Sequence, residues 1–182
     1  MTTINGRCFV FGDNIDTDAL APGQYIKGPI EELARHCLES ADAGFAASVK
    51  AGDIVVAGRN FGMGSSREQA AQALRVLGVG GVVAVSFGGI FFRNAINLGL
   101  PVFVAADATQ LKENTQPGDR LALDAAAATL HNLTENTVID LQPLPDFLLD
   151  MLSAGGLVAV LEKRFGVQHA DAAGQTSNQQ ES

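Results

Sequence analysis

The strongest candidate for chemistry in the sequence is the glycine- and serine-rich stretch FGMGSSREQ at residues 61–69. Gly64 lacks a side chain and so allows close approach by a ligand. The spacing of Ser66 and Gln69 is that of a capping box, which predicts that a helix begins at the serines. Free backbone N–H groups and the helix dipole favour an anion there, and Arg67 can bind a carboxylate through two hydrogen bonds. The stretch therefore predicts an anion site, although a plain capped helix start has the same local pattern.

The loop GDNIDTDALAPG at residues 12–23 carries a second group of functional side chains, with three aspartates within six residues. Their spacing differs from that of an EF-hand, because no glycine follows at the required place and no glutamate closes a twelve-residue loop. The aspartates either face a ligand or cap the backbone of their own turn. Lys27 follows closely, in the sequence QYIKGP.

The remaining polar residues do not predict a catalytic group. The stretch SFGGIFFRNAINLGLP at residues 86–101 places polar side chains on a mostly apolar helix, and we interpret them as structural. His36, His131 and His169 are scattered, and no Ser/His/Asp or Cys/His arrangement stands out.

Composition excludes several classes of function. Twelve Lys and Arg against twenty Asp and Glu give a net charge of −8, which argues against a nucleic acid partner. Cys8 and Cys37 are the only cysteines, too few to ligate a four-cysteine zinc site or an iron-sulfur cluster, so we expect no metal site in this chain. No signal peptide or apolar run of about 20 residues is visible, and we therefore expect a cytoplasmic protein with no membrane partner.

The elements that must position these motifs alternate between strands and helices. A first strand at residues 7–11 and a helix at residues 30–38 precede a β-α-β-α-β unit. This unit consists of residues 53–57, 69–78, 81–87, 90–98 and 101–105. Its strands are continuous apolar runs, which are typical of a parallel sheet covered by helices.

The pattern changes after residue 106, where short strands with hairpin-like spacing predict a small β-rich appendage. The strands are predicted at residues 119–124, 129–133 and 137–141, and two helical segments at residues 145–154 and 157–165 follow. Residues 167–182 have almost no large apolar side chains and are predicted to be disordered. We therefore expect one folded domain at residues 1–166 and a tail at residues 167–182.

Three motifs, in this order and at these separations, give the sequence a family resemblance. VFGDNIDTDALAPGQY at residues 10–25, GRNFGMGSSREQA at residues 58–70 and the stretch at residues 86–101 together resemble the small subunit of 3-isopropylmalate dehydratase. That family is similar to the swivelling fourth domain of aconitase. The resemblance implies an α/β fold: a swivelling β/β/α domain with a central mostly parallel sheet, flanking helices and the small β-rich appendage.

The resemblance also implies an activity and a partner. Members are hydro-lyases that remove water from a di- or tricarboxylic hydroxy acid and add it back at the neighbouring carbon. By default they convert 3-isopropylmalate to 2-isopropylmalate in leucine biosynthesis. Their large subunit carries a four-iron, four-sulfur cluster and the small subunit caps the site, so this chain would bind no cofactor itself and would be active only with its large subunit.

The same resemblance assigns site residues, position by position. Ser65 matches the family's catalytic serine, which as an alkoxide removes a proton next to a carboxylate. Arg67, supported by Ser66, would bind a substrate carboxylate, and Thr17 and Asp18 match a pair that faces the active site. A serine hydroxyl is a poor base, so it needs the helix start and the guanidinium to stabilise its anion.

Departures from the family's usual sequence bear on the substrate. Lys27 stands where the family reads the substrate's substituent, and its charge makes a carboxylate or polar group an alternative to a branched alkyl chain, although the family's default substrate is kept first. Met63, Gln69 and Gly89 replace the usual cysteine, histidine and arginine. The alternatives are the same chemistry on homoaconitate or another tricarboxylate, on methylmalate or citraconate, on dimethylmalate, or on maleate. From a different class, the alternative is a non-catalytic module that binds an organic anion.

Overall fold

The computed structural model describes residues 3–166, and a seven-stranded sheet forms its centre. The strands are β1 (Ile4–Val10), β2 (Ile54–Ala57), β3 (Gly81–Ala84), β4 (Val102–Val104), β5 (Arg120–Asp124), β6 (Thr129–Asn132) and β7 (Thr137–Asp140). The helices are α1 (Thr17–Leu20), α2 (Ile30–Ala34), α3 (Phe45–Ser48), α4 (Gln69–Val76), α5 (Gly89–Asn97), α6 (Ala108–Glu113), α7 (Asp146–Ala154) and α8 (Leu157–Phe165), and one 3-10 turn spans Gly23–Tyr25.

The sheet has a parallel half and an antiparallel half that meet at β1, in the order β4-β3-β2-β1-β5-β6-β7. β1 pairs in parallel with β2, with Cys8 opposite Ile54, and β3 and β4 continue in the same direction. On its other edge β1 pairs antiparallel with β5, with Ile4 opposite Leu123, and β6 and β7 follow. The predicted α/β fold is confirmed. The β-rich appendage extends the central sheet instead of forming a separate layer.

Alternating side chains of the parallel strands fill two cores, one on each face of the sheet. Val55 and Ala57 of β2 belong to the core that also contains Leu74 of α4. Ile54 and Val56 of the same strand belong to the opposite core. Because successive side chains of a strand face opposite sides, a strand buried on both faces has no polar position. This is why these strands are unbroken apolar runs in the sequence.

Two parts of the predicted secondary structure are wrong. The helix predicted at residues 30–38 is only α2, and turns follow it. Leu38 has a φ of 61°, and its N–H donates to the carbonyl of Ala19 at 2.7 Å, so a tertiary contact replaces the last helical turn. The predicted loop at residues 12–23 contains α1, because the carboxylate of Asp16 accepts the N–H of Ala19 and caps a short helix.

The predicted disordered tail at residues 167–182 lies outside the described residues, and the domain boundary at residue 166 therefore stays a prediction. Of the helices between residues 3 and 166, none has the length and apolar character needed to cross a membrane.

The loops that follow β1, β2 and β3 lie side by side at the carboxyl edge of the parallel half. The N–H of Gly62, in the second loop, donates to the carbonyl of Ile15 in the first at 2.7 Å. The N–H of Phe61 donates to the carbonyl of Ser86 in the third at 2.9 Å. Ligands of open parallel sheets bind in the crevice outside this edge. The fold therefore brings the two candidate motifs together where a site is expected.

This arrangement requires glycine at position 62, where φ is 73° and a Cβ would overlap the side chain of Phe91 in α5. We expect Gly62→Ala to lower the free energy of unfolding by about 3 kcal/mol, because it adds overpacking to a left-handed backbone. Urea unfolding followed by circular dichroism measures the change. Gly89→Ala is the matched control, since a Cβ at Gly89 would have nothing within 4 Å. Equal stability of the two variants would contradict the proposed packing.

Candidate functional site

The hydroxyl groups of Ser65 and Thr17 join the two candidate motifs. Oγ of Ser65 and Oγ1 of Thr17 are 3.0 Å apart, and the backbone N–H of Ser65 donates to the same Oγ1 at 3.1 Å. Thr17 is buried, whereas Ser65 is exposed. Either hydroxyl can be the donor in this pair, but once Ser65 loses its proton only Thr17 can donate. The threonine can therefore stabilise negative charge on Ser65.

Gly64 allows the serine loop to approach α1 this closely. Its φ is 112°, and a Cβ at this position would lie 3.0 Å from Oγ1 of Thr17. A backbone hydrogen bond reinforces the contact, because the N–H of Thr17 donates to the carbonyl of Met63 at 2.9 Å. The structure thus explains the glycine by a contact within the protein, and a contact between Gly64 and substrate stays a prediction.

The guanidinium of Arg67 is held on one side and open on the other. Its Nη1 donates to the carboxylate of Asp18 and, at 3.2 Å, to the carbonyl of Ala21. Nε and Nη2 make no hydrogen bond within residues 3–166, and a Cβ at Gly23 would lie 3.9 Å from Nη2. The Nε and Nη2 edge can bind a carboxylate through two parallel hydrogen bonds. Asp18 therefore orients the arginine and leaves this edge free.

The helix that follows the serines begins later than predicted. α4 starts at Gln69, and its N-cap, Glu68, makes no side-chain capping bond. The predicted capping box of Ser66 and Gln69 is therefore not formed. In the part of the chain that the structure describes, the N–H groups of residues 66–69 donate no hydrogen bond. Free donors thus still gather beside the serine loop, as at any helix start, and favour an anion there.

The structure does not bring two of the predicted residues into these contacts. The side chains of Ser66 and Lys27 are exposed and make no hydrogen bond or ion pair with any residue from 3 to 166, so their roles stay predictions. Sequence reasoning missed Ala21 and Gly23, which lie beside Arg67. A backbone carbonyl leaves no signal in the type of residue, and a single glycine in a turn-rich loop does not indicate which side chain lies beside it.

Comparison with known proteins decides the family. The aconitase C-terminal domain matches residues 18–106, a range that includes Asp18 and the serine loop. The 3-isopropylmalate dehydratase small subunit of Thermodesulfovibrio yellowstonii is 43% identical over 166 residues, which cover 91% of this chain and 97% of that relative. The chain belongs to the 3-isopropylmalate dehydratase small subunit family. It is therefore a subunit of a hydro-lyase related to aconitase.

Two other members of this family bear on the fold and on the substrate. The crystal structure of a 3-isopropylmalate dehydratase (LeuD) from Methanocaldococcus jannaschii is 41% identical, with a TM-score of 0.83, and the match covers 90% of this chain and 96% of that one. A methanogen homoaconitase small subunit from Methanothermobacter thermautotrophicus is 47% identical, and that match covers 85% of this chain and 88% of the relative. Relatives of similar identity are thus named as subunits of two different enzymes.

The cysteines of this family member do not fit the iron-sulfur cluster that the aconitase relationship implies. Cys8 and Cys37 are each 1% exposed and lie in different cores. Burial raises the pKa of the Cys8 thiol to about 12, with a further contribution from the carboxylate of Asp119, and burial also raises the pKa of Cys37. Cluster ligands are thiolates, whereas these thiols stay protonated. Among residues 3–166, no group of three or more His, Cys, Asp and Glu side chains could hold a metal ion.

We expect both thiols to resist alkylation in the folded protein, because a raised pKa and burial remove the reactive thiolate. Iodoacetamide at pH 8, followed by mass spectrometry of the intact chain, measures this. The native protein should take up no label over a time in which the urea-unfolded chain takes up two. Rapid labelling of Cys8 or Cys37 in the native protein would show that the thiol is accessible and contradict its burial.

Proposed function

We propose that this chain is the small subunit of a heteromeric hydro-lyase that moves a hydroxyl group between neighbouring carbons of a hydroxy-carboxylic acid. The observation that carries the proposal is the meeting of Ser65, Thr17 and the open edge of Arg67 beyond the carboxyl ends of the parallel strands. A base beside a carboxylate-binding arginine suits the removal of a proton next to a carboxylate. The first substrate to test is 3-isopropylmalate, with 2-isopropylmalate as the product, as in leucine biosynthesis.

In this proposal Ser65 is the base and Arg67 positions the substrate. Arg67 binds a substrate carboxylate at its Nε and Nη2 edge, while Asp18 holds the opposite side of the guanidinium. The alkoxide of Ser65 takes a proton from the carbon next to that carboxylate, and the neighbouring carbon loses its hydroxyl as hydroxide, which leaves a double bond. Hydroxide then adds to the carbon that lost the proton, and Ser65 returns the proton to the carbon that lost the hydroxyl. The hydroxyl of Thr17, 3.0 Å away, donates to the alkoxide, and the free N–H groups before α4 stabilise it further.

The site needs a partner to complete it. Ser65, Gly64 and Ser66 are all exposed, so the free chain leaves the base in water. We infer that a large subunit covers this face and carries the four-iron, four-sulfur cluster, which supplies a Lewis acid for the leaving hydroxyl. The two buried cysteines of this chain support that division of roles.

The proposals that this chain binds neither nucleic acid nor a membrane, and that it is cytoplasmic, rest on composition. A net charge of −8 supports the absence of a nucleic acid partner. The absence of a membrane partner and a cytoplasmic location stay predictions.

We expect Ser65→Ala to lower kcat at least about 100-fold, because a positioned general base contributes about 10²- to 10⁴-fold. The assay combines the chain with a large subunit reconstituted with iron and sulfide and follows turnover of 3-isopropylmalate and related hydroxy acids. Ser153→Ala is the matched control, since Ser153 lies on α7, away from the serine loop in the chain, and its hydroxyl donates to the carbonyl of Leu149. Turnover that survives Ser65→Ala would overturn the assignment of the base.

The same reconstitution separates catalysis from simple anion binding. A hydro-lyase subunit gives no turnover alone and gains activity with the large subunit. If instead the isolated chain binds an organic acid tightly by calorimetry and no large subunit activates it, the protein is a binding module and the proposed function is wrong.

A tricarboxylate such as homoaconitate is the second candidate substrate. Lys27 is exposed and finds no anionic partner within residues 3–166, and one relative of high identity is named a homoaconitase subunit. The ammonium group of Lys27 is therefore free to meet a substrate carboxylate.

If Lys27 meets a third carboxylate, Lys27→Val should shift the ratio of kcat/KM by about tenfold or more towards alkyl-bearing malates. The measurement compares kcat/KM for 3-isopropylmalate and homoaconitate in the reconstituted complex. Lys112→Val, an exposed lysine of α6, serves as the control for loss of one positive charge. An unchanged ratio would remove Lys27 from the site.

A further inference from the structure

The imidazole of His36 lies flat on the phenol ring of Tyr25. The ring centroids are 3.7 Å apart and the ring planes are within 9° of parallel. Tyr25 is the last residue of the 3-10 turn, and its half-buried ring packs against the core beneath the helices. The stack therefore attaches the turn to the segment that follows α2.

The other end of this turn borders Arg67. The carbonyl of Ala21, just before the turn, accepts a hydrogen bond from Nη1 at 3.2 Å. Gly23, the first residue of the turn, is the position whose Cβ would lie 3.9 Å from Nη2. The turn thus borders the guanidinium, including the Nη2 atom on its open edge.

Two contacts hold His36 and the segment around it in place. Its Nδ1 lies 2.6 Å from a carboxylate oxygen of Glu39, which sets the plane of the imidazole. Two residues further on, the N–H of Leu38 donates to the carbonyl of Ala19 in α1 at 2.7 Å. α1 also carries Asp18, the residue that orients Arg67. The segment after α2 therefore holds both elements that surround the arginine.

We propose that His36, held by Glu39, is a positioning residue that keeps the Gly23–Tyr25 turn against Arg67 and so sets the affinity of the site for substrate carboxylates. This inference rests on the proposed function. Within residues 3–166, His36 makes no hydrogen bond with Ser65 or Thr17, so it acts on substrate binding and leaves proton transfer unaffected.

The test compares His36→Ala with His36→Phe in the reconstituted complex, using 3-isopropylmalate as the probe. His36→Ala removes the stack and should raise KM about 3- to 10-fold while kcat stays within about twofold, since a stacked ring pair contributes on that scale. His36→Phe keeps a flat ring on Tyr25 and should restore most of the affinity. A KM for His36→Ala equal to that of the wild type would overturn the proposal.

Leu130→Ala is the control for general loss of stability, because Leu130 is fully buried in the opposite core, on β6. Leu130→Ala should lower stability at least as much as His36→Ala and leave KM unchanged. If Leu130→Ala raises KM as much as His36→Ala, the effect is general loosening and the positioning role is wrong.

A second readout does not depend on turnover. Phenylglyoxal modifies accessible arginines, and peptide mass spectrometry reports the rate at Arg67, with exposed Arg59 as the internal reference. His36→Ala should speed modification of Arg67 severalfold relative to Arg59. If His36→Ala raises the rate of modification at Arg67 but the wild-type complex turns over no hydroxy acid, only the proposed function fails. If the wild type is active and neither KM nor the Arg67 rate changes, only the role of His36 fails.

Discussion

The shared direction of β1 and β2 is the constraint on which the candidate site depends. Parallel neighbours end at the same edge, so the loops that follow them run beside each other even though Thr17 and Ser65 are 48 residues apart in the chain. Backbone hydrogen bonds, from Gly62 to Ile15 and from Thr17 to Met63, fix the register of the loops. The contact between the hydroxyls of Ser65 and Thr17 is thus a consequence of main-chain geometry.

The polar groups of the candidate site are held by the protein on one side and free on the other. Thr17 accepts the N–H of Ser65 and has a hydroxyl proton that it can donate, and the hydrogen bonds of Arg67 to Asp18 and to a carbonyl within residues 3–166 use Nη1. Groups that are oriented before substrate arrives need little reorganisation when charge develops. Cys8 and Cys37 differ from these groups, because both thiols are buried and contribute to the packing of the cores.

The sequence predicted the parallel strands well because burial on both faces leaves an unbroken apolar run. Of the residues singled out in the first two motifs, Ser65 contacts Thr17 and Arg67 contacts Asp18, while their roles stay predictions. It failed where tertiary contacts override local pattern. The spacing of Ser66 and Gln69 predicts a cap, yet the N–H of Ser65 bonds to Thr17 and the helix starts later. Helix α6 was not predicted from the sequence, because its six residues show too little hydrophobic periodicity, although Asp107 caps it.

The position of β1 between the two halves of the sheet has a consequence for how the chain folds. One edge of β1 can pair with β2 early in synthesis, but its other edge waits for β5, which is encoded far downstream. Until then β1 presents an open row of N–H and carbonyl groups, a template for pairing with other chains. Such long-range pairing also slows folding. Both edges of β1, the strand that leads into the loop of Thr17, are therefore paired only after β5 has been synthesised.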